Sequence, residues 1–161
     1  MTSQTGTCRR FEGRVAVVIG GNSGIGLATA ERLHAEGAAV VIGARRVDEG
    51  EAAAARIGDG ATFFSVDVRE REQLAAMFEA VVAQHGRLDV LVNSAGSSIV
   101  QRTTDVQPKH WQRTLDVNLT GVFNACQLAI PHLRATIAAS LAKQTAIVNV
   151  DRKSTRLNSS H

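Results

Sequence analysis

The sequence predicts an α/β protein built as a doubly wound parallel sheet of about five strands, and three observations predict it. Short runs of β-branched and small apolar residues alternate with longer helix-forming stretches. Several of those short runs are apolar without interruption, the pattern of strands buried on both faces. The first run breaks into a glycine-rich turn that opens at once into a helix. Parallel strands joined in this way require right-handed crossovers, which lay helices on both sides of the sheet.

The chain is organised around Arg14 to Gly37, RVAVVIGGNSGIGLATAERLHAEG. Val15 to Ile19 is a buried strand, and Gly20, Gly21, Asn22, Ser23, Gly24, Ile25 and Gly26 form the turn and the helix start. Glycines at 20, 24 and 26 let the backbone turn sharply and approach a ligand, while the helix start presents unpaired N–H groups and its positive dipole end. Pyrophosphate is the natural occupant. The spacing is G-x-x-x-G-x-G, which differs from the G-x-G-x-x-G fingerprint, and a plain strand-to-helix corner is the competing reading. Its place after a strand and before a helix favours nucleotide binding.

Ala39 to Ile42 follows as a second strand, then Asp48 to Arg56 with helical composition and an Asp at its start. Ala61 to Val66 is the third strand. Glu70 to His85 puts Leu74, Met77, Phe78, Val81 and Val82 on one helical face. Val90 to Val92 is the fourth strand, and a long helical stretch begins near Pro108. Within it Trp111, Leu115, Leu119, Val122, Cys126, Ile130 and Leu133 recur every three or four residues, a stripe expected to face the sheet. Thr145 to Val150 closes with a fifth strand.

In such sheets ligands lie at the carboxyl ends of the strands. After strand two come Arg45 and Arg46, near the position where an acid would hold a ribose 2′-hydroxyl; Asp48 and Glu49 are better placed as helix-start residues. Guanidinium groups bind a 2′-phosphate bidentately, which favours NADP, with NAD the alternative if both arginines are solvated surface charges.

Asp67-Val68 follows strand three, Asn93-Ser94-Ala95-Gly96 follows strand four, and Asp116-Val117-Asn118-Leu119-Thr120-Gly121 lies in the long helical stretch. With Gly20-(x)3-Gly24-Ile25-Gly26, these motifs resemble those of the short-chain dehydrogenase/reductase family, in family order over Arg14 to Val150. The resemblance implies a Rossmann-like domain whose backbone around Asn22, Ser23, Gly24, Ile25 and Gly26 holds the pyrophosphate. It implies that Asp67 accepts a hydrogen bond from the adenine amino group and that Val68 lines the adenine pocket. Asn93, Ala95 and Gly96 would shape the strand-four end beneath ribose and nicotinamide. Two positions depart from the family pattern: Ile19 stands where Thr is usual, and Ser94 where a second Asn is usual. Asp67 also suits helix capping, because a helix follows closely.

Asn118 is the catalytic candidate. Its position on the apolar stripe predicts a buried amide that must find partners, which a satisfied interior Asn bending the helix would also meet. The resemblance implies the catalytic role, in which its backbone carbonyl positions a water linked to an active-site Lys. The family's other catalytic groups are a Ser after strand five and a Tyr-x-x-x-Lys helix that supplies the acid or base. Here Val150 runs into Asp151 and Arg152, and the chain contains no tyrosine.

Residues 151–161, DRKSTRLNSSH, are polar and basic, and one back-translation resembles a common sequencing-library adapter read in frame. The expected organisation is a flexible arm over 1–13, an incomplete dinucleotide-binding domain over 14–150 truncated after strand five, and a non-native tail over 151–161. That tail carries Arg152, Lys153 and Arg156 against Asp151, so without it the formal charge falls from +3 to +1. Basicity is then no sign of nucleic acid or of an anionic membrane. A truncated sheet would leave strand five unpaired and an apolar edge exposed.

The 161 residues suit one domain, and 44% apolar with 20% charged residues is ordinary globular composition. The opening MTSQTGTCRR has no apolar segment and is not read as a secretory signal. Cys8 and Cys126 form no disulfide framework, and the five histidines have no ligand-spaced partners, so no metal is expected and a cytoplasmic setting is. The resemblance implies an oxidoreductase acting on a small alcohol or carbonyl substrate, in a parent protein that is a homo-oligomer packing its 108–139 helix against a helix beyond Val150. Lacking the Ser and Tyr-x-x-x-Lys, the chain alone is expected to be inactive. The alternative is a non-catalytic nucleotide-binding module. Extended epimerase-type relatives are disfavoured, since they usually show G-x-x-G-x-x-G.

Overall fold

The computed structural model describes residues 9–151. Five parallel strands stand in the order β3-β2-β1-β4-β5: β1 Val15–Ile19, β2 Ala39–Ala44, β3 Ala61–Ser65, β4 Val90–Asn93 and β5 Ala146–Asn149. Between them run α1 Gly24–Ala35, α2 Val47–Ile57, α3 Arg71–His85, α4 Pro108–Leu115 and α5 Gly121–Ala138. A short 3-10 turn, Thr103–Asp105, precedes α4. The strand order reverses between β1 and β4, where neighbouring crossovers leave in opposite directions and open a crevice at the strand ends.

Alternation along the strands divides the core. Val17, Ile19, Val41 and Leu91 pack with Leu74, Met77, Phe78 and Val81 of α3 and with Ala125 and Leu133 of α5. Ala16, Val18, Val40, Ile42 and Val92 point to the other face and meet Ala30 and Leu33 of α1 and Ala53 of α2. Both faces are therefore covered, and the uninterrupted apolar composition of β1 and of residues 90–92 of β4 follows from that.

The long helix departs from its expected face. A π-turn, Asp116–Thr120, joins α4 to α5, and the Gly121 N–H donates to the Asp116 carbonyl five residues back. The buried row is Val117, Gly121, Ala125, Ala129, Leu133 and Thr136, whereas Trp111 is 58% exposed and Leu119 63% exposed. Of the expected stripe, Ile130 is also exposed and Leu133 alone is fully buried. The extra residue of the π-turn shifts the phase, and small residues on the buried face allow close packing. A Cβ on Gly121 would lie 2.9 Å from Val68 Cγ2.

The amino-terminal arm also differs where it is described. Phe11 packs against the α1/α2 side of the core and its N–H donates to the Glu36 carbonyl. Buried Glu36 receives the guanidinium of Arg10 at 2.6 Å and pairs with Arg32 on α1, so residues 10–13 are tied to the end of that helix. Those two arginines push the Glu36 carboxyl down from 4.5 to about 2, against the opposing effect of burial. Residues 1–8 of the expected arm and 152–161 of the expected tail lie outside the described residues.

At the opposite end of the sheet from the crevice, Asp89 is fully buried. It accepts the Val15 N–H at 2.9 Å and a fork from Arg87 at 2.7 and 2.6 Å, which raises the Arg87 pKa. Arg14 stands 3.7 Å away and donates to the Gln144 carbonyl, and Arg87 donates to that of Leu141. One carboxylate thus fastens β1, β4 and the connection into β5.

Candidate functional site

A cleft of about 1850 Å³ opens over the carboxyl ends of the strands, at the reversal of strand order. Its floor is the glycine turn. Gly20 adopts φ +81°, and a Cβ there would lie 2.5 Å from Ala95 N, so the turn after β1 and the chain after β4 touch backbone to backbone. A Cβ on Gly26 would lie 2.2 Å from the Gly20 carbonyl oxygen, which seats α1 directly behind the turn. Gly24, at φ +54°, has nothing within 4 Å of its Cβ position and faces open cleft with Asn22, Ser23 and Ile25.

The amino end of α1 is bare. Ser23 makes no side-chain cap, the first turn carries no acid, and its leading amides find no acceptor among the described residues. Unpaired N–H donors and a positive dipole end bordering a cleft are what a pyrophosphate requires. The residues present fit a dinucleotide.

Arg45 and Arg46 both line the cleft beyond β2. Arg46 donates to Glu49 at 2.6 Å, while Arg45 makes no hydrogen bond or ion pair among the described residues. Val66 and Val68 line the adjoining wall. Asp67, between them, is turned to Arg69: the Arg69 fork meets its two oxygens at 3.0 and 2.6 Å, and the Arg69 N–H donates to Oδ1 at 3.0 Å. Arg69, and more weakly Arg45, hold the Asp67 carboxyl below its ordinary range, with burial opposing. Asp67 does not cap α3, whose N-cap is Glu70; its own N–H donates to Gln73 Oε1 at 2.9 Å.

On the far side, buried Asn93 donates from Nδ2 to Asn149 Oδ1 at 2.8 Å and lies 3.4 Å from Cys126 Sγ, joining the ends of β4 and β5. Ser94, Ala95 and Gly96 continue the floor. Asn118 also lines the cleft, but its side chain is exposed, contrary to the expectation of a buried amide. Its partners are the two main-chain polar atoms of Ser97: Oδ1 accepts the N–H at 2.8 Å and Nδ2 donates to the carbonyl at 2.7 Å. The π-turn turns Val117 inward in its place.

The sequence family described as short chain dehydrogenase matches residues 14–158. The chain belongs to this family. Among short-chain dehydrogenase relatives, it is 39% identical over 127 residues to human "3-hydroxyacyl-CoA dehydrogenase type-2", covering 75% of this chain and 49% of that protein. It is 37% identical over 138 residues to "3-alpha-(or 20-beta)-hydroxysteroid dehydrogenase" of Mycobacterium tuberculosis, covering 86% and 53%. The crystal structure of 3-ketoacyl-(acyl-carrier-protein) reductase from Brucella melitensis complexed with NADH superposes with a TM-score of 0.81 at 32% identity, covering 86% of this chain and 57% of that one. The chain spans about half the length of the relatives it matches.

Sequence reasoning missed Ser97, Asn149 and Arg69, since each acts through a partner distant in sequence or through backbone. Only the proximity of Arg69 to Asp67 was visible in the chain. Among the described residues there is no cluster of His, Cys, Asp and Glu placed for a metal, and no helix long and apolar enough to cross a membrane.

Proposed function

We propose that this chain is the cofactor-binding half of an oxidoreductase that moves hydride between a nicotinamide dinucleotide and a small alcohol or carbonyl substrate. The bare amino end of α1, bordering the cleft beside the open position of Gly24, carries that reading. The backbone of Gly20 and Asn22 to Gly26 would take the pyrophosphate, Asp67 and Val68 the adenine, and Asn93, Ala95 and Gly96 the ribose and nicotinamide. Arg45 faces the cleft and makes no hydrogen bond or ion pair among the described residues, which supports NADP over NAD because a guanidinium suits a 2′-phosphate. Arg46 is the lesser contributor, being paired with Glu49.

When bound, the nicotinamide supplies or receives the hydride. The chain's own part is to exclude solvent from one side and to fix the floor on which a substrate sits. The catalytic role of Asn118 would lie in its backbone carbonyl, positioning a water linked to an active-site Lys, while its side chain holds Ser97 and with it the chain after β4. The chain has no tyrosine to serve as the family's acid or base. The chain alone is therefore a binder without turnover. The exposed Trp111, Leu119 and Phe123 support a homo-oligomeric parent protein.

Titration of the chain with NADPH and NADH, followed by nicotinamide fluorescence, tests the reading. Binding of both with NADPH tighter is expected; binding of neither removes the proposal. A second reading, a nucleotide-binding module with no catalytic parent, draws on the same lack of tyrosine. Sequencing the source DNA past codon 150 separates them: a frame continuing into a Ser and Tyr-x-x-x-Lys supports the enzyme.

A further inference from the structure

The cleft carries more positive charge than a dinucleotide accounts for. Among the described residues that line it, Arg45, Arg46 and Arg102 are cations and Asp151 is the one acid. With a dinucleotide in the cleft, the bare end of α1 takes the pyrophosphate and Arg45, beyond β2, takes the 2′-phosphate. Arg102 belongs to the segment after β4, and β2 and β4 pair with opposite edges of β1. The third guanidinium therefore stands on the nicotinamide side, where the cofactor has no phosphate to offer it.

The main chain at Arg102 is fixed while its side chain is unengaged. Residues 97–102 line the cleft without a break. Asn118 holds the first of them, Ser97, by both main-chain polar atoms. The 3-10 turn Thr103–Asp105 closes the other end, where the Asp105 N–H donates to the Arg102 carbonyl at 2.9 Å. The Asp105 carboxylate, the nearest acid in sequence, accepts the Thr104 hydroxyl at 3.0 Å. The exposed Arg102 guanidinium makes no hydrogen bond or ion pair among the described residues.

We propose that Arg102 is a specificity-determining residue that selects alcohol or carbonyl substrates carrying an anionic group, a carboxylate or a phosphate. The inference rests on the reading of the cleft as a dinucleotide site. A guanidinium takes either anion bidentately. Ile99 and Val100, between Ser97 and Arg102 in the chain, add apolar cleft surface for the carbon skeleton of such a substrate.

Two matched pairs of carbonyl compounds test the charge: 3-oxohexanoate with its methyl ester, and dihydroxyacetone phosphate with dihydroxyacetone. Each is titrated by calorimetry into the full chain loaded with NADPH, as wild type, Arg102→Gln and Arg102→Lys. In the wild type, at least one anionic compound is expected to bind about fivefold more tightly than its neutral partner, the scale of a charge-assisted contact discounted for an exposed site. Which pair responds separates carboxylate from phosphate recognition. Arg102→Gln is expected to abolish the preference by weakening only the anionic compound, and Arg102→Lys to keep part of it, since an ammonium retains the charge but not the fork. A wild type that binds none of the four compounds, or shows no preference in either pair, overturns the proposal. A preference that survives Arg102→Gln makes Arg102 a solvated surface charge and overturns it too. If Arg102→Gln loses NADPH as steeply as it loses the anion, the residue serves the cofactor and the substrate role falls. If the wild type does not bind NADPH, the cleft reading itself fails and the proposal with it.

Discussion

Asn118 grips Ser97 by both of its main-chain polar atoms, in the manner of one strand pairing with another, although Asn118 lies in a helical turn and Ser97 in a loop. The amide side chain thereby completes a two-bond ring across 21 residues of sequence.

Asn118→Leu removes both bonds and is expected to cost about 1–2 kcal/mol, discounted from a buried pair because the site is solvent-exposed. The sharper readout is hydrogen exchange at the Ser97 amide, which is expected to accelerate while amides in β1 keep their protection. Unchanged exchange at Ser97 would show that the loop is held by something else.

The two cleft arginines are not equivalent. Arg45→Ala is expected to lower the preference for NADPH over NADH by about tenfold, because a guanidinium–phosphate contact is charge-assisted. Arg46→Ala is expected to change it much less, since Glu49 engages that guanidinium. Competition by 2′,5′-ADP measured for both variants checks the order.

Two glycines of the turn separate stability from binding. Gly26→Ala drives a methyl into the Gly20 carbonyl and is expected to lower stability by about 1–3 kcal/mol in a denaturant melt. Gly24→Ala meets no atom within 4 Å and costs backbone strain at φ +54°, about 1–2 kcal/mol. Its methyl would nonetheless stand where the pyrophosphate is proposed, so dinucleotide affinity is expected to fall further than stability does.

Glu36 gives the fold an acid limit. Its carboxyl is depressed from 4.5 to about 2 by Arg10 and Arg32, so its contribution is fully present above about pH 4.5 and is lost as the pH falls towards 2. Glu36→Gln is expected to flatten the stability profile over that window and to leave its shape above pH 5 unchanged. Chemical denaturation at a series of pH values measures it.

The strands, their order of burial and the glycine turn were legible because an all-apolar run of five residues ending in glycine has few alternatives in a chain that alternates with helices. Arg14 and Asp89 were not, since a carboxylate four residues before a motif carries no sign that it is fully buried and forked by Arg87. The face of the long helix was misread for a specific reason. Large apolar residues such as Trp111, Leu119 and Ile130 carry the hydrophobic period, yet the inward row is mostly small, because close approach to Val68 and β4 selects for Gly121, Ala125 and Ala129. Period counting weighs hydrophobicity and is blind to size. The same error buried Asn118 on paper, and a helix assumed to be uniform concealed the turn that exposes it. At the cleft, which residues gather was readable, while which are already engaged, as Arg46 and Asp67 are, was not.

The wide turn at 116–120 also sets α4 and α5 at a phase that a uniform helix would not give. In a uniform helix, the angle at which Asn118 meets the cleft and the angle at which Ala125 meets the sheet are locked together at about 100° per residue. Here one surplus residue changes the offset between them, so that Asn118 reaches Ser97 while the row of Gly121, Ala125 and Ala129 still faces inward. Deleting a single residue from this turn would restore the uniform offset, and the chain would have to give up one alignment to keep the other.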